Sequence, residues 1–185
     1  RLLAGDSHTG ARLLARESER VGVRGALEQL VLPAIARISG GRADAGFGPA
    51  LVAFYTAHSS VRRHQAQSVA YTHGGGLTWT QYEGNPVLDR DSGDFRDPKV
   101  LRYSGPAGDY WVMSAVEAVA QRVVFYRSSN LLDWELLSEF AAPQVGDGIW
   151  ECPDLFPLFV DGEERWVLII SLGMAPLVGG FGTIY

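Results

Sequence analysis

Two short stretches of this chain hold charged residues where strands should begin. In "DSGDFRDPKV" (91–100), Arg96 and Asp97 stand side by side between Phe95 and Pro98, ahead of an apolar run. In "GIWECPDLFPL" (148–158), Glu151 lies between Trp150 and Cys152, again ahead of an apolar run. A carboxyl held against an indole in a partly dry cleft has its charged form disfavoured, which suits a proton donor. Neighbours on a regular strand point to opposite faces. Arg96 and Asp97 can therefore serve one pocket only where the backbone is irregular, and Pro98 favours an extended Asp97. A turn carrying a surface ion pair accounts for Arg96 and Asp97 as well, and an exposed loop acid accounts for Glu151. Asp154, between Pro153 and the run, reads as a residue that structures the loop.

The elements that would position these residues are strands. From Phe47 onward, short runs rich in Val, Tyr, Phe and Trp alternate with Gly, Pro, Asn and Asp. The expected strands are 50–58, 67–73, 99–103, 110–117, 122–128, 134–140, 155–160 and 165–171. Trp79, Trp111, Trp134 and Trp166 fall in these patterns and are expected in the core. No helical pattern sits between the strands, which argues against a parallel α/β sheet. The stretch before residue 47 is different: it has no Phe, Trp or Tyr, and Ala, Arg, Gly and Leu dominate. Within it, "GARLLARESERVGVRGALEQLVLPAIARI" has a loose helical spacing interrupted by Gly22, Gly25 and Pro33. Residues 1–46 thus form an atypical segment, helical or disordered, and 47–185 form the β domain.

An internal echo suggests a propeller. "TWTQYEGNPVL" precedes "FRDPKV", and "DWELLSEFAAP" precedes "WECPDLFPL". Asp97 and Glu151 are 54 positions apart, close to the about 40–50 residues of a four-stranded blade. Acids at equivalent positions of successive blades would face one axial pocket.

Composition narrows the function classes. The net charge of −5 and the lack of any basic run argue against nucleic acid. Cys152 is the only cysteine, so there is no internal disulfide and no multi-thiolate metal site. His8, His58, His64 and His73 show no metal-ligand spacing, so neither metal nor cofactor is expected. The apolar stretch 166–178 is short and broken by Gly173 and Pro176, so it reads as a strand and turn rather than a membrane span. The opening at Arg1 shows no signal-peptide pattern.

The order of the motifs points further. "NPVL" (85–88), "FRDPKV" (95–100) and "WECPDLFPL" (150–158) resemble three successive signatures of glycoside hydrolase family 32, the β-fructofuranosidases. "LVAFYTAH" (51–58), "QSVAYTHGGGLTWTQYEGNPVL" (67–88), "VVFYRSSNLLDW" (123–134) and "GGFGTIY" (179–185) agree with it, and the resemblance covers 47–185. It implies an all-β fold, part of a five-bladed β-propeller (about blades two and three), with an axial pocket for a terminal fructosyl unit. It implies a retaining two-carboxylate reaction on sucrose, inulin or levan. Glu151 would be the acid/base and Asp97 the transition-state stabiliser. Arg96, Trp150 and Cys152 would belong to the substrate pocket, with Cys152 tuning Glu151 rather than attacking. The phrasing is closest to the levanase, inulinase and yeast-type invertase branch, which leans towards an extracellular or periplasmic place.

The departures are as informative. The family nucleophile is the aspartate of an Asn-Asp-Pro-Asn motif, which does not occur here; Asp6 and Asp44 lack its context. The Phe-Ser-Gly motif is reduced to "ISGG" (38–41). Thr72 and Gly74 stand where the family often has Ser and Asp, a turn variation. Further blades and a C-terminal β-sandwich would follow "GTIY". The expectation is a fragment that lacks the nucleophile and is weak or inactive alone. A non-catalytic carbohydrate-binding propeller fragment, or a plain β domain whose acids only build turns, are the other readings.

Overall fold

The computed structural model describes residues 47–106, 108–142 and 148–173, and the backbone of 35–38 and 183–184. These residues fold into three antiparallel sheets and contain no helix. The first sheet has β1 (Ile35–Ile38), β2 (Ala50–Ser59), β3 (His64–Thr72), β4 (Thr80–Gln81) and β5 (Leu88–Ser92). The second is a meander of β6 (Phe95–Gly105), β7 (Gly108–Glu117), β8 (Arg122–Ser128) and β9 (Glu135–Ala141). The third is begun by β10 (Ile149–Val160), β11 (Glu163–Gly173) and β12 (Thr183–Ile184). The leading strand of each sheet lies beside that of the next, β1 by β6 and β6 by β10. The sheets are therefore arranged as successive blades. The first two sheets are followed by β10–β12, the beginning of a further, partial blade.

Each sheet is built by local rules. β10 and β11 are joined by Asp161-Gly162, both at positive φ (54° and 82°). Such a two-residue turn twists in the sense that antiparallel strands need. β4 and β5 both pair with β3, so together they form one outer strand interrupted by "YEGNPV". The interruption is bridged by Asn85. Its Oδ1 accepts from the Val69 amide at 2.8 Å and its Nδ2 donates to the Val69 carbonyl at 2.8 Å. One side chain thus replaces a missing backbone partner, which is the local reason for the "NPVL" motif.

Alternation along the strands builds two cores. Trp111, Met113 and Ala115 of β7 face a cluster with Val52, Phe54, Val69, Phe95 and Val124, between the first and second sheets. Val116 turns the other way, joining Val123, Trp150, Ile170 and Leu172 between the second and third. β7 is buried on both faces, as a central strand should be. Arg90, on β5, ties the first sheet to the second. It donates to Glu117 (2.8 Å), Tyr126 (2.7 Å) and Glu139 (3.1 Å). Burial alone pulls the Arg90 pKa down, but Tyr126 and the glutamates outweigh it and hold the guanidinium above its ordinary value.

Some expectations need correction. The helical reading of the stretch ending in "AIARI" fails at its end, where Ile35–Ile38 pairs with β2 in register Ile35↔Ala53. The rest of that stretch, with Asp6, His8 and Asp44, lies outside the described residues. Of the four tryptophans expected in the core, Trp111 is buried and Trp134 packs edge-on against Phe54 at 5.7 Å. Trp79 and Trp166 are 38% and 40% exposed. Trp79 precedes β4, where its indole donates to the Gly76 carbonyl at 3.0 Å, and Trp166 lies on the outer half of β11. Thr72 does build a turn: its hydroxyl accepts from the Gly74 amide at 3.1 Å.

Candidate active site

The two charged stretches fold into the same irregularity. In β6 the register with β7 runs to Arg96↔Val116 and resumes at Lys99↔Ser114. In β10 the register with β11 runs to Glu151↔Ser171 and resumes at Asp154↔Ile169. Each strand carries one extra residue, a bulge, the device that re-aims side chains beside active sites. At each bulge the residue before proline has positive φ: 58° at Asp97 and 49° at Cys152. This overturns the extended Asp97 expected from Pro98. An L residue in that region costs about 1–2 kcal/mol, so tertiary contacts must hold the kink. The bulge is also the irregularity that lets Arg96 and Asp97 face the same side.

The two bulges correct the internal echo. Pro98 matches Pro153, so Arg96 corresponds to Glu151, Asp97 to Cys152 and Lys99 to Asp154, a spacing of 55 rather than 54. Each of these pairs is in contact across the sheets. Arg96 Nη2 donates to Glu151 Oε1 at 3.3 Å. The Cys152 amide donates to Asp97 Oδ2 at 2.9 Å. Lys99 Nζ meets Asp154 Oδ1 at 2.8 Å. Asp154 therefore lies inside β10 and bridges two sheets, where the sequence reading had it structuring a loop. Asp97 and Glu151 are not blade equivalents, yet both arrive at the same end of neighbouring sheets, and both are partly exposed.

Around this pair the polar contacts continue into the first sheet. Arg96 Nη1 reaches Gln65 Oε1 at 3.4 Å and Asp94 Oδ1 at 3.5 Å. The Asp97 amide donates to Thr56 Oγ1 at 3.0 Å, and Thr56 donates to Gln67 Oε1 at 3.1 Å. Gln67, fully buried, donates in turn to the Phe95 carbonyl at 2.8 Å. Thr56 and Gln67 thus grip the bulge on both sides of Arg96. Neither was singled out from sequence; they face each other across β2 and β3, a pairing that only the register reveals. Thr56→Val keeps the shape but strands the Asp97 amide and the Gln67 oxygen. It is expected to lower stability by about 1–3 kcal/mol in a denaturant titration.

Trp150 is not in the pocket. Its ring is fully buried, stacked on Phe140 at 6.0 Å within the second core cluster. Strand alternation sends Trp150 inward and Glu151 outward, so the indole anchors the backbone and does not line the site around Glu151. The charged neighbour of the Glu151 carboxylate is Arg96. Cys152 is exposed, and its thiol is pushed up, first by partial desolvation and then by Asp97 and Glu151, against an opposing pull from Arg96. The neutral thiol is the form the folded protein favours. Its contribution to stability is therefore full below the ordinary thiol range and is lost as pH rises through the raised value. Iodoacetamide labelling of Cys152 is expected to be slower at pH 8 than that of a free thiol, with its rate midpoint at higher pH. Asp97→Asn should bring that midpoint down.

Successive antiparallel sheets whose leading strands bring charged side chains to one end are the architecture of a β-propeller with an axial site. Residues 34–184 match the glycosyl hydrolases family 32 N-terminal domain, and the chain belongs to that family. Its sheets are part of that domain's five-bladed β-propeller. It is 45% identical over 140 residues to a levanase of Bacillus subtilis (strain 168), covering 73% of this chain and 20% of the levanase. It is 36% identical over 158 residues to an extracellular exo-inulinase of Aspergillus niger, covering 73% and 29%. A fructofuranosidase from Schwanniomyces occidentalis complexed with fructose superposes with a TM-score of 0.68 at 28% identity, covering 79% of this chain and 30% of that one. The chain thus spans less than a third of the length of each of these relatives.

Proposed function

We propose that this chain supplies the acid end of an enzyme that hydrolyses terminal β-D-fructofuranosides, such as sucrose, inulin or levan, with retention of configuration. The observation that carries this is the convergence of Glu151, Arg96 and Asp97 on one partly exposed site through two matched bulges. The names of the relatives, levanase and exo-inulinase, support the choice of fructans.

In this reading, protonated Glu151 gives its proton to the glycosidic oxygen as the bond from that oxygen to the anomeric carbon breaks. A carboxylate nucleophile takes the anomeric carbon. Glu151, now ionised, removes a proton from water, and that water displaces the nucleophile. Asp97 accepts hydrogen bonds from ring hydroxyls and opposes the positive charge on the sugar. Arg96 holds Glu151 at 3.3 Å and steadies it between the two steps. Cys152 lends its backbone amide to Asp97. No Asn-Asp-Pro triplet occurs in the 185 residues. By the family pattern this chain alone lacks the nucleophile, and it is expected to bind a fructoside without turning it over.

The test is hydrolysis of sucrose, inulin and levan by a protein that carries both this chain and the nucleophile motif, with and without Glu151→Gln, with the anomer of released fructose followed by NMR. Retention and loss of turnover in the variant support the reading. Binding without turnover in a protein that carries the nucleophile motif would instead favour a carbohydrate-binding role.

A further inference from the structure

Gly173 closes β11 directly across from Ile149, the residue that opens β10. Its φ is outside the left-handed region, so the backbone there does not require glycine. A glycine inside a strand gives up packing and conformational entropy, and often marks a close approach. The approach here is specific. A Cβ on Gly173 would stand 2.9 Å from Glu151 Oε2, 3.6 Å from its Cδ and 3.1 Å from Ile149 Cγ1. The most crowded atom is the end of a flexible side chain. The fold can absorb the added carbon by moving that end, but the carboxylate cannot keep its place.

We propose that Gly173 is a positioning residue: its missing side chain forms the notch that seats the Glu151 carboxylate opposite Arg96. The carboxylate is held from two sides. Arg96 on β6 draws Oε1 at 3.3 Å, and the bare backbone of Gly173 on β11 admits Oε2. An added methyl must drive Oε2 away by at least about 0.5 Å to restore ordinary contact. A proton donor displaced on that scale misses the glycosidic oxygen, and misplacement of about 1 Å costs on the order of 10²-fold in rate. The role in catalysis rests on the reading of Glu151 as acid/base, whereas the notch itself rests only on geometry.

The test separates the two. In this chain, labelled with ¹³C-glutamate and with the Glu151 signal assigned by its loss in Glu151→Gln, Gly173→Ala is expected to move the Glu151 Cδ resonance. Other glutamates should stay in place. An unchanged Glu151 signal in a folded Gly173→Ala protein overturns the proposal. Should Gly173→Ala fail to fold, adding Glu151→Ala vacates the notch and is expected to restore folding; failure to restore it overturns the proposal too. In the protein that turns over fructan, Gly173→Ala is expected to lower kcat by about 10–100-fold with KM nearly unchanged. Full activity of Glu151→Gln there would sink the acid/base reading and leave the NMR result standing.

Discussion

In a protein that carries both this chain and the nucleophile motif, Glu151→Gln is expected to lower kcat on sucrose or levan by about 10²–10⁴-fold, the usual contribution of a positioned proton donor. The substitution is chosen because glutamine keeps the size of the side chain. Its amide oxygen can still accept from Arg96, now at 3.3 Å from Oε1, so the pocket should hold its shape and KM should change little. What is lost is the transferable proton. Substrates whose leaving group needs no protonation, such as aryl fructosides with an acidic phenol, should be less impaired than sucrose in their first step. Steady-state kinetics on both substrate types check this. Equal, undiminished turnover of sucrose by the variant would remove Glu151 from the mechanism.

Trp150→Ala should be the most damaging single change to the fold. Its ring is fully buried among Val116, Val123, Ile170 and Leu172 and joins the second sheet to the third. Truncating a buried tryptophan costs about 3–5 kcal/mol, which in a chain of this size corresponds to a fall in Tm of roughly 10 °C or more. Trp79→Ala is the internal comparison. That ring is 38% exposed, and its removal should cost about 1 kcal/mol or less. Thermal denaturation of the two variants decides the matter. A stable Trp150→Ala protein with weakened sugar affinity would return the indole to the pocket.

The sequence was legible where residues report their own environment. β8 was read end to end as 122–128, and the runs around β2, β7 and β11 were read to within a few residues. β4 and β5 were missed because neither carries an apolar alternation: one has two residues, and the other, "LDRDS", is mostly polar. Asn85 joins them through its side chain, which no strand pattern records. β1 was hidden in a helical spacing, since four residues of "IARI" fit either period and pairing with β2 decides. In the candidate site, the motifs singled out Arg96, Asp97 and Glu151, but the alignment of the two stretches could not be read from them. Asp97 and Cys152 adopt positive φ ahead of proline, against local preference, and contacts from Thr56, Gln67 and the neighbouring sheet override it. Trp150 was misplaced for a simpler reason. Adjacency in sequence suggested a shared pocket, and strand alternation separates adjacent residues.

The matched kinks at Pro98 and Pro153 make a mounting that is indifferent to what it carries. One sheet fits it with a cation and the next with an acid, and each mounted group leans on its counterpart 55 residues away. Chemistry on such a frame can be exchanged one doorway at a time without redrawing the walls. The same interlock means that no blade owns its share of the pocket: loosening one doorway slackens the one beside it.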